Sequence, residues 1–407
     1  MLLSLALLAS VPAHACGQST HAWIGIEAVE HLPAGELRTL LEAPDRFPFR
    51  VLGSMFPDGG YSPLVQDGYG ETAHWPPFQD TYLDWIKETW DPPYTGEAAD
   101  HVAFLMGLAA HGMADQIFDG VYLTRGLLYD GSEQFGEADL SSDVAMVGLV
   151  GAQPMVDDVV PYDVLDLVFD RYGQDADVAK MRRGVASLFV AIAAVGASAD
   201  DEAVQAQRRA QLPWTNANLE DPAIPCSPAC IQPAVAAYWQ TLWDRLHDRF
   251  DVQAHPIFWS SPADGAYAHP TDALSIESQL SVAFARSVDL ATFTADLVTV
   301  TDADGVVHPV DFRFYYRDRS NVLNVWPTED WADDATYTLT IADGAKAWDG
   351  TPLGGPFTLT FHTGPAPEPA VGDDPEPTAA TPCGCGTSPR GWLPGLLLLP
   401  LLARRRR

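Results

Sequence analysis

The residues whose types and spacing carry most chemistry lie in HVAFLMGLAAHGMADQIFDGVY, His101 to Tyr122. Within it His111, Asp115 and Asp119 follow one another at four-residue intervals. On a helix that spacing puts an imidazole and two carboxylates on one stripe, drifting by about 40° per step. Imidazole and carboxylate are the ligand types for zinc and related divalent metals. Set into an apolar helix, they are costly to bury unless paired or bound to a metal. A satisfied His–Asp pair in a helical core fits this stretch equally well, because i,i+4 polar pairs are common on helices. The same interval returns in EADLSSDVAMV at Asp139 and Asp143. Three more candidate ligands stand upstream: His21 in CGQSTHAWIG, Asp58 in GSMFPDGGY and His74 in ETAHWPPF. Helices converging on one core are the usual way a bundle builds a multinuclear site.

The elements that must position these groups read as mostly helical from Ser19 to about Phe250. Val102, Leu105, Met106, Leu108, Ala109, Ile117 and Val121 recur at helical spacing, which predicts one long helix through the motif. THAWIGIEAVEHL predicts another, with Ser19 or Thr20 as its N-cap. A Gly- and Pro-rich loop from about Phe56 to Pro77 carries Asp58 and His74, and loops on a rigid scaffold are where binding groups usually sit. Taken singly, Asp58 after Pro57 reads as a turn residue and His74 beside Trp75 as a packing residue. His31 and His101 fit no motif and read as surface or cap residues, and His247 as structural. Further helices over VPYDVLDLVFDRYG, 178–195 and 233–250 close the bundle. Cys226 and Cys230, in IPCSPACI, read as a local disulfide; a metal site is the second reading, because no further Cys or His pair completes one.

Taken together, CGQSTHAWIGIEAVEHL, LGSMFPDGGY, AHWPPFQDTYLDWI, AFLMGLAAHGMAD, EADLSSD and VPYDVLDLVFDRYG resemble the zinc-dependent phospholipase C superfamily. The resemblance is closest to the catalytic domain of the glycosylphosphatidylinositol-specific phospholipases D. It runs from Cys16 to about Gly173, in the family's order and at similar spacing. It implies an all-α domain holding roughly two or three zinc ions that hydrolyse a phosphodiester. It places one metal on Asp58, His74, His111 and Asp115, with Asp58 doubling as general base. It places a second on His21, Asp115 and the free amine and carbonyl of Cys16 as the mature first residue. The third would fall on Asp119, Asp139 and Asp143, where the family has two histidines and a carboxylate. Two imidazoles have thus become carboxylates, which makes that position harder and favours Ca2+, Mg2+ or Mn2+ over zinc. Three carboxylates without a cation would repel, so either a cation sits there or the position has partly collapsed.

The chain of 407 residues has room for two or three domains. After His255 the period changes: LSVAF, LVTVTD, DFRFYY, NVLNVW, ATYTLTIA and FTLTFHTG are short runs of a β-sandwich, with His308 and His362 standing alone. The frame resembles bacterial immunoglobulin-like domains of SbsA type, which serve as spacers or adhesive modules. The expected organisation is therefore a signal peptide over residues 1–15, a helical metal-dependent domain over 16–252, an immunoglobulin-like sandwich over 255–364, a disordered linker over 365–382 and a C-terminal segment over 383–407. MLLSLALLASVPAHA ends in an Ala-x-Ala cleavage pattern that would expose Cys16. A lipoprotein reading of Cys16 would block the same amine. At the other end CGCG, an apolar run from Trp392 to Ala403 and RRRR resemble sorting signals of myxobacterial type, a short transmembrane anchor stopped by arginines. The expected location is exported, at the cell surface or outer membrane or secreted. The formal charge of −32 excludes nucleic-acid binding through phosphates and attraction to anionic membranes. The expected partners are a phospholipid or other phosphodiester substrate and the cell envelope, with the chain itself a monomer.

Overall fold

The structure is a computed structural model and describes residues 17–132, 135–315 and 319–367. It is a helical region followed by a β-sandwich, as the sequence predicts. Thirteen α-helices are found among the described residues. The first six are α1 Gln18–Glu27, α2 Glu36–Glu42, α3 Phe47–Gly53, α4 Gly68–Ala73, α5 Pro76–Thr89 and α6 Glu97–Ile117. There follow α7 Thr124–Tyr129, α8 Phe135–Val150, α9 Tyr162–Tyr172, α10 Val178–Ala199, α11 Glu202–Gln211, α12 Pro213–Ala217 and α13 Pro228–Leu246.

Helix α6 is the hub. Of its 21 residues only Glu97 and Asp100 escape burial, the pattern of a helix surrounded by others. Helix α3 crosses it backbone to backbone at a pair of glycines: a Cβ at Gly107 would lie 2.3 Å from the Arg50 carbonyl, and one at Gly53 would lie 2.3 Å from that of Phe104. This close approach brings the α3 terminus to His111. Past Ile117 the long helix of the sequence reading gives way to a π-helical turn, Phe118–Leu123, before α7 resumes. A π turn adds a residue to the helical repeat, so Asp119 leaves the regular stripe of His111 and Asp115.

Four further expectations are corrected. The 56–77 stretch is not an open loop: Phe56–Tyr61 is a 3-10 turn and α4 leads directly to His74. Ser19 and Thr20 do not cap α1, whose N-cap is Gly17; they sit inside it, and their backbone N–H groups are taken by a distant carboxylate. His101 is not a surface residue. It is 3% exposed, shares a 2.6 Å hydrogen bond through Nδ1 with the Tyr82 hydroxyl and stacks on Trp90. Lastly, Cys226 and Cys230 are not bridged. Cys226 is packed into the helical core, where burial and then the neighbouring Cys230 push its thiol pKa well up.

Eight strands follow among the described residues: β1 Ile257–Ser261, β2 Leu280–Phe284, β3 Val298–Asp302, β4 Val307–His308, β5 Val310–Phe314, β6 Val322–Pro327, β7 Thr336–Ile341 and β8 Phe357–His362. They form two antiparallel four-stranded sheets, ordered β1-β2-β6-β5 and β4-β3-β7-β8. All six predicted runs become strands; β1 and the two-residue β4 are additions. Leu280, Val282, Leu323, Val325, Leu339, Leu359 and Phe361 fill the space between the sheets. The sandwich is not a detached spacer. Ile276, Ala283 and Val322 belong to the same apolar core as the helices, and helices and strands form one compact unit.

No single described helix is long and apolar enough to cross a membrane. The leader, Cys16, nearly all of the linker and the C-terminal segment with its apolar run lie outside the described residues.

Candidate metal centre

Five of the predicted ligands meet in one buried cluster. His21 comes from α1, Asp58 from the 3-10 turn, His74 from the end of α4, and His111 and Asp115 from the centre of α6. All five are at most 5% exposed. Asp115 is the hinge of the arrangement. Its Oδ1 lies 3.1 Å from His21 Nε2, and its Oδ2 lies 3.5 Å from Nε2 of both His74 and His111. Asp58 Oδ1 faces the same two imidazoles, at 3.6 Å from His74 Nε2 and 3.8 Å from His111 Nε2. The four separations of 3.5–3.8 Å are too long for good hydrogen bonds, and Nε2 of His74, Nε2 of His111 and Oδ1 of Asp58 have no hydrogen-bond partner. The ligand atoms of His21, Asp58 and His111, and those of His74, His111 and Asp115, each lie within 4.8 Å of one another.

The other ring nitrogens are committed elsewhere. His74 Nδ1 donates to the Gly70 carbonyl at 2.6 Å, and His111 Nδ1 donates to the Ser54 carbonyl at 2.8 Å. A donating Nδ1–H fixes the tautomer and leaves the Nε2 lone pair aimed inward, the usual support of a metal-ligating histidine. Buried polar atoms without partners are rare and call for an occupant. The donor set, imidazole with carboxylate, fits a divalent metal of the zinc type.

Electrostatics separate the imidazoles. Burial alone would lower the His74 pKa, but the carboxylates of Asp58 and Asp115 and the Gly70 carbonyl outweigh it and raise the value to about 9. His111 goes the other way: burial, then the neighbouring His21 and His74, hold it well below the usual range despite the Ser54 carbonyl. In metal-free protein, a folded-state pKa raised above 6.5 means that protonated His74 stabilises the fold fully below about pH 6.5. That contribution fades as pH rises through about 9. A metal needs the neutral ring, so uptake at pH 7 is expected to release about one proton per chain. Calorimetric titration in two buffers of different ionisation enthalpy reads this directly; proton release of zero would show that His74 is not displaced.

Gly112, one residue past His111, is what admits the His74 segment. A Cβ there would lie 1.9 Å from the His74 carbonyl oxygen, a backbone atom that cannot swing aside. Gly112→Ala is expected to cost about 2 kcal/mol of stability by overpacking and to weaken metal retention together with it. Thermal melting and metal content of the variant check both; a stable variant with full metal would contradict this geometry.

The three Asp-rich positions do not form an equivalent cluster. Asp119, in the π turn, is fully buried; Oδ1 has no hydrogen-bond partner, and Oδ2 accepts from the Tyr315 hydroxyl at 3.1 Å. Burial, and then the charge of Asp115, push its pKa well up, opposed by the Tyr315 hydrogen bond. Burial and the charges of Asp119, Asp115 and Asp139 raise the Tyr315 pKa in turn, so the phenol keeps its proton and donates. Asp139, on α8, is also buried. Asp143 is committed to the start of α1: Oδ1 accepts from Thr20 N at 2.8 Å and Thr20 Oγ1 at 2.9 Å, and Oδ2 from Ser19 N at 3.4 Å. This is an N-cap supplied from another helix, satisfying the free N–H groups and the helix dipole. Burial nevertheless raises the Asp143 pKa, with those hydrogen bonds working against the rise.

Sequence reasoning missed Tyr315, which approaches from the sandwich, and Tyr61, whose ring lies 5.2 Å from His74 and whose hydroxyl donates to Glu71 at 2.5 Å. Tyr315 is 196 residues from Asp119 and sits in no motif, so no local signal pointed to it.

Comparison with known proteins gives three separate findings. A family model described as a bacterial Ig-like domain matches residues 251–363. The chain is similar to phosphatidylinositol-glycan-specific phospholipase D of Homo sapiens, 33% identical over 122 residues that cover 28% of this chain and 14% of that protein. It is 30% identical to the Rattus norvegicus protein over 161 residues, covering 35% of this chain and 19% of the other. The chain thus spans less than a fifth of the length of these relatives. Among solved structures, Clostridium perfringens alpha-toxin from avian strain SWCP aligns over 85% of this chain and 99% of its own at 12% identity, with a TM-score of 0.24. The N-terminal part of the bacterial S-layer protein SbsC aligns over 72% and 77% at 11% identity, with a TM-score of 0.21. Neither score establishes a shared fold.

Proposed function

We propose that the chain is an exported metal-dependent phosphodiesterase, a zinc phospholipase C/D-like hydrolase acting on phospholipid or glycosyl-phosphatidylinositol-type diesters. The observation that carries this reading is the buried convergence of His21, Asp58, His74, His111 and Asp115, with the Nε2 atoms of His74 and His111 aimed inward and lacking partners. Similarity to the phospholipase D relatives supports the choice of substrate class. On this reading residues 16–252 are the hydrolase domain and 255–364 the immunoglobulin-like domain, with Cys16 the mature first residue.

Asp58, His74, His111 and Asp115 would hold one metal, and His21 and Asp115 would hold a second with the terminal amine of Cys16. A third, harder ion on Asp119, Asp139 and Asp143 would need Asp143 released from the start of α1, where both its oxygens accept hydrogen bonds. Bound metals would polarise the phosphoryl oxygens and acidify water. Asp58 Oδ1, lacking a hydrogen-bond partner, is available to accept the proton of an attacking water. Gly70 and Ser54 keep both imidazoles in the tautomer that presents Nε2. The burial of the five side chains excludes bulk water from around them and strengthens every charge interaction there.

A second reading is favoured by one specific observation: Asp143 is already bonded to the start of α1. With one position spent on structure, the chain would be a surface-binding module that retains the fold without turnover. Vesicles of phosphatidylcholine, phosphatidylinositol and a glycosyl-phosphatidylinositol anchor, with a soluble chromogenic diester beside them, separate the readings. Hydrolysis lost on chelation and restored by zinc supports the enzyme. Binding to vesicles without release of head group, in metal-loaded protein, supports the module and overturns the enzyme.

A further inference from the structure

Three elements bring nitrogen donors together where the helices meet the sandwich. Arg125 comes from α7, Arg313 from β5 and Trp326 from β6. Both guanidiniums lie over the Trp326 ring, Arg313 at 4.7 Å from its centre and Arg125 at 5.8 Å. Each is held loosely by one backbone carbonyl at 3.4 Å: Arg313 Nη2 donates to Gly120, and Arg125 Nη1 donates to Leu274. Among the described residues neither forms an ion pair with a carboxylate, although the chain carries a formal charge of −32. Asp311, opposite Trp326 in the sheet, pairs with neither. Burial lowers the pKa of both arginines, against Tyr315 at Arg313 and Tyr129 at Arg125, and the charge of Arg313 lowers that of Arg125 further. Two like charges are thus held near each other with nothing to offset them.

Two buried donors stand beside them. Asn324, opposite Arg313 in the sheet, is fully buried. Its amide is oriented by Ser281, whose Oγ donates to Oδ1 at 2.8 Å, and Nδ2 is left without a partner. Nδ2 lies 3.5 Å from where a Cβ on Gly120 would stand, so it and Arg313 Nη2 meet at one glycine. Trp326 Nε1 is also buried without a partner. Buried donors that lack acceptors call for an occupant. A set of guanidinium, amide and indole N–H groups fits an oxyanion, and the fork of an arginine matches phosphate.

We propose that Arg125, Arg313, Asn324 and Trp326 form a binding site for a phosphate group, separate from the five-residue metal cluster. The site uses none of the clustered ligands, so it goes beyond the hydrolase reading and stands without it. Its chemistry is the same for free phosphate and for the phosphate of a lipid head group. Leu274, whose carbonyl holds Arg125, and Leu128, one turn further along α7, are 78% and 67% exposed and offer apolar contact to a lipid surface. Both sources are therefore tried.

The test compares the full chain with Arg313→Gln and, separately, Arg125→Gln. Inorganic phosphate is titrated by calorimetry, and phosphatidylcholine vesicles, which carry no net charge to repel an acidic chain, are cosedimented with the protein. Metal content and thermal melting are read on the same samples. The expected result is binding by the parent that falls roughly tenfold or more in each variant, as a charge-assisted hydrogen bond is lost. Metal content and melting should stay as in the parent. A loss seen with inorganic phosphate supports a site that takes the free anion; a loss seen with vesicles alone supports one that takes the lipid head group. Binding that stays parent-like in both variants overturns the site and puts the anion elsewhere, the metal cluster included. A parent that binds neither probe overturns it as well. So does a loss accompanied by lower melting in both variants, because the arginines would then be general structure. Where only one variant melts lower, the other decides.

Discussion

Asp115→Asn is expected to abolish hydrolysis, with a loss on the order of 10³-fold or more in kcat/KM. The substitution keeps the size of the side chain and deletes only its charge. That charge is the point on which His21, His74 and His111 converge, from 3.1 to 3.5 Å. An amide offers one carbonyl oxygen in place of two anionic ones, so it cannot serve two metal positions at once. Two proposed ions therefore depend on this single residue, and metal content should fall together with activity. Diester hydrolysis and elemental composition of the purified variant check the claim. Activity within tenfold of the parent would mean that Asp115 is merely a core ion-pair residue.

The second large effect concerns stability. Gln116→Leu is expected to cost roughly 3 kcal/mol or more, since each buried polar group left unsatisfied costs about 1–3 kcal/mol. Gln116 uses the whole capacity of its amide: Nε2 donates to Asn321 Oδ1 at 2.9 Å and to Gly112 O at 3.0 Å. Its Oε1 accepts from Asn321 N at 2.7 Å and Val322 N at 3.1 Å. Leucine has a similar volume and provides no acceptor, leaving two backbone N–H groups of the sandwich buried against α6. Because Ile276, Ala283 and Val322 share the helical core, the parent should unfold in a single transition. Denaturant melts followed by helix and by tryptophan signals test this. Separate transitions, or a variant that loses less than about 1 kcal/mol, would restore the picture of a spacer hung on an independent enzyme domain.

The helical hub and the five-residue cluster were legible because the signal is local. His111 and Asp115 are four apart on one helix, and His21, Asp58 and His74 each sit in a short segment with a recognisable setting. The strands were legible for the same reason, alternation within six or so residues, which is why the two-residue β4 escaped. What stayed hidden depends on partners far along the chain. Asp143 has the type and spacing of a ligand, yet it caps α1 from 123 residues away. His101 matched no motif and looked like a surface residue until Tyr82 and Trp90 enclosed it. The π turn at Phe118–Leu123 cannot be read from periodicity, since its single extra residue changes the direction of Asp119 without changing the composition. Tyr315 and Gln116 link two regions that carry unrelated sequence patterns, and nothing in either pattern announces the other.

Of these omissions, Asp143, the π turn and Tyr315 bear on the Asp-rich position, whereas Tyr61 lies beside His74. The capping role of Asp143 and the phenol on Asp119 set the Asp-rich position apart from the cluster around Asp115. The cluster of His21, Asp58, His74, His111 and Asp115 brings its imidazoles and carboxylates together, with Gly70 and Ser54 carbonyls behind His74 and His111.

The most direct measurement is elemental analysis of the purified mature protein after exhaustive dialysis. Roughly two or three divalent ions per chain, zinc among them, are expected to be retained without free metal in the buffer. A protein that folds, melts cooperatively and carries no bound metal would contradict it, and would leave the buried histidines and aspartates as an ion-pair core.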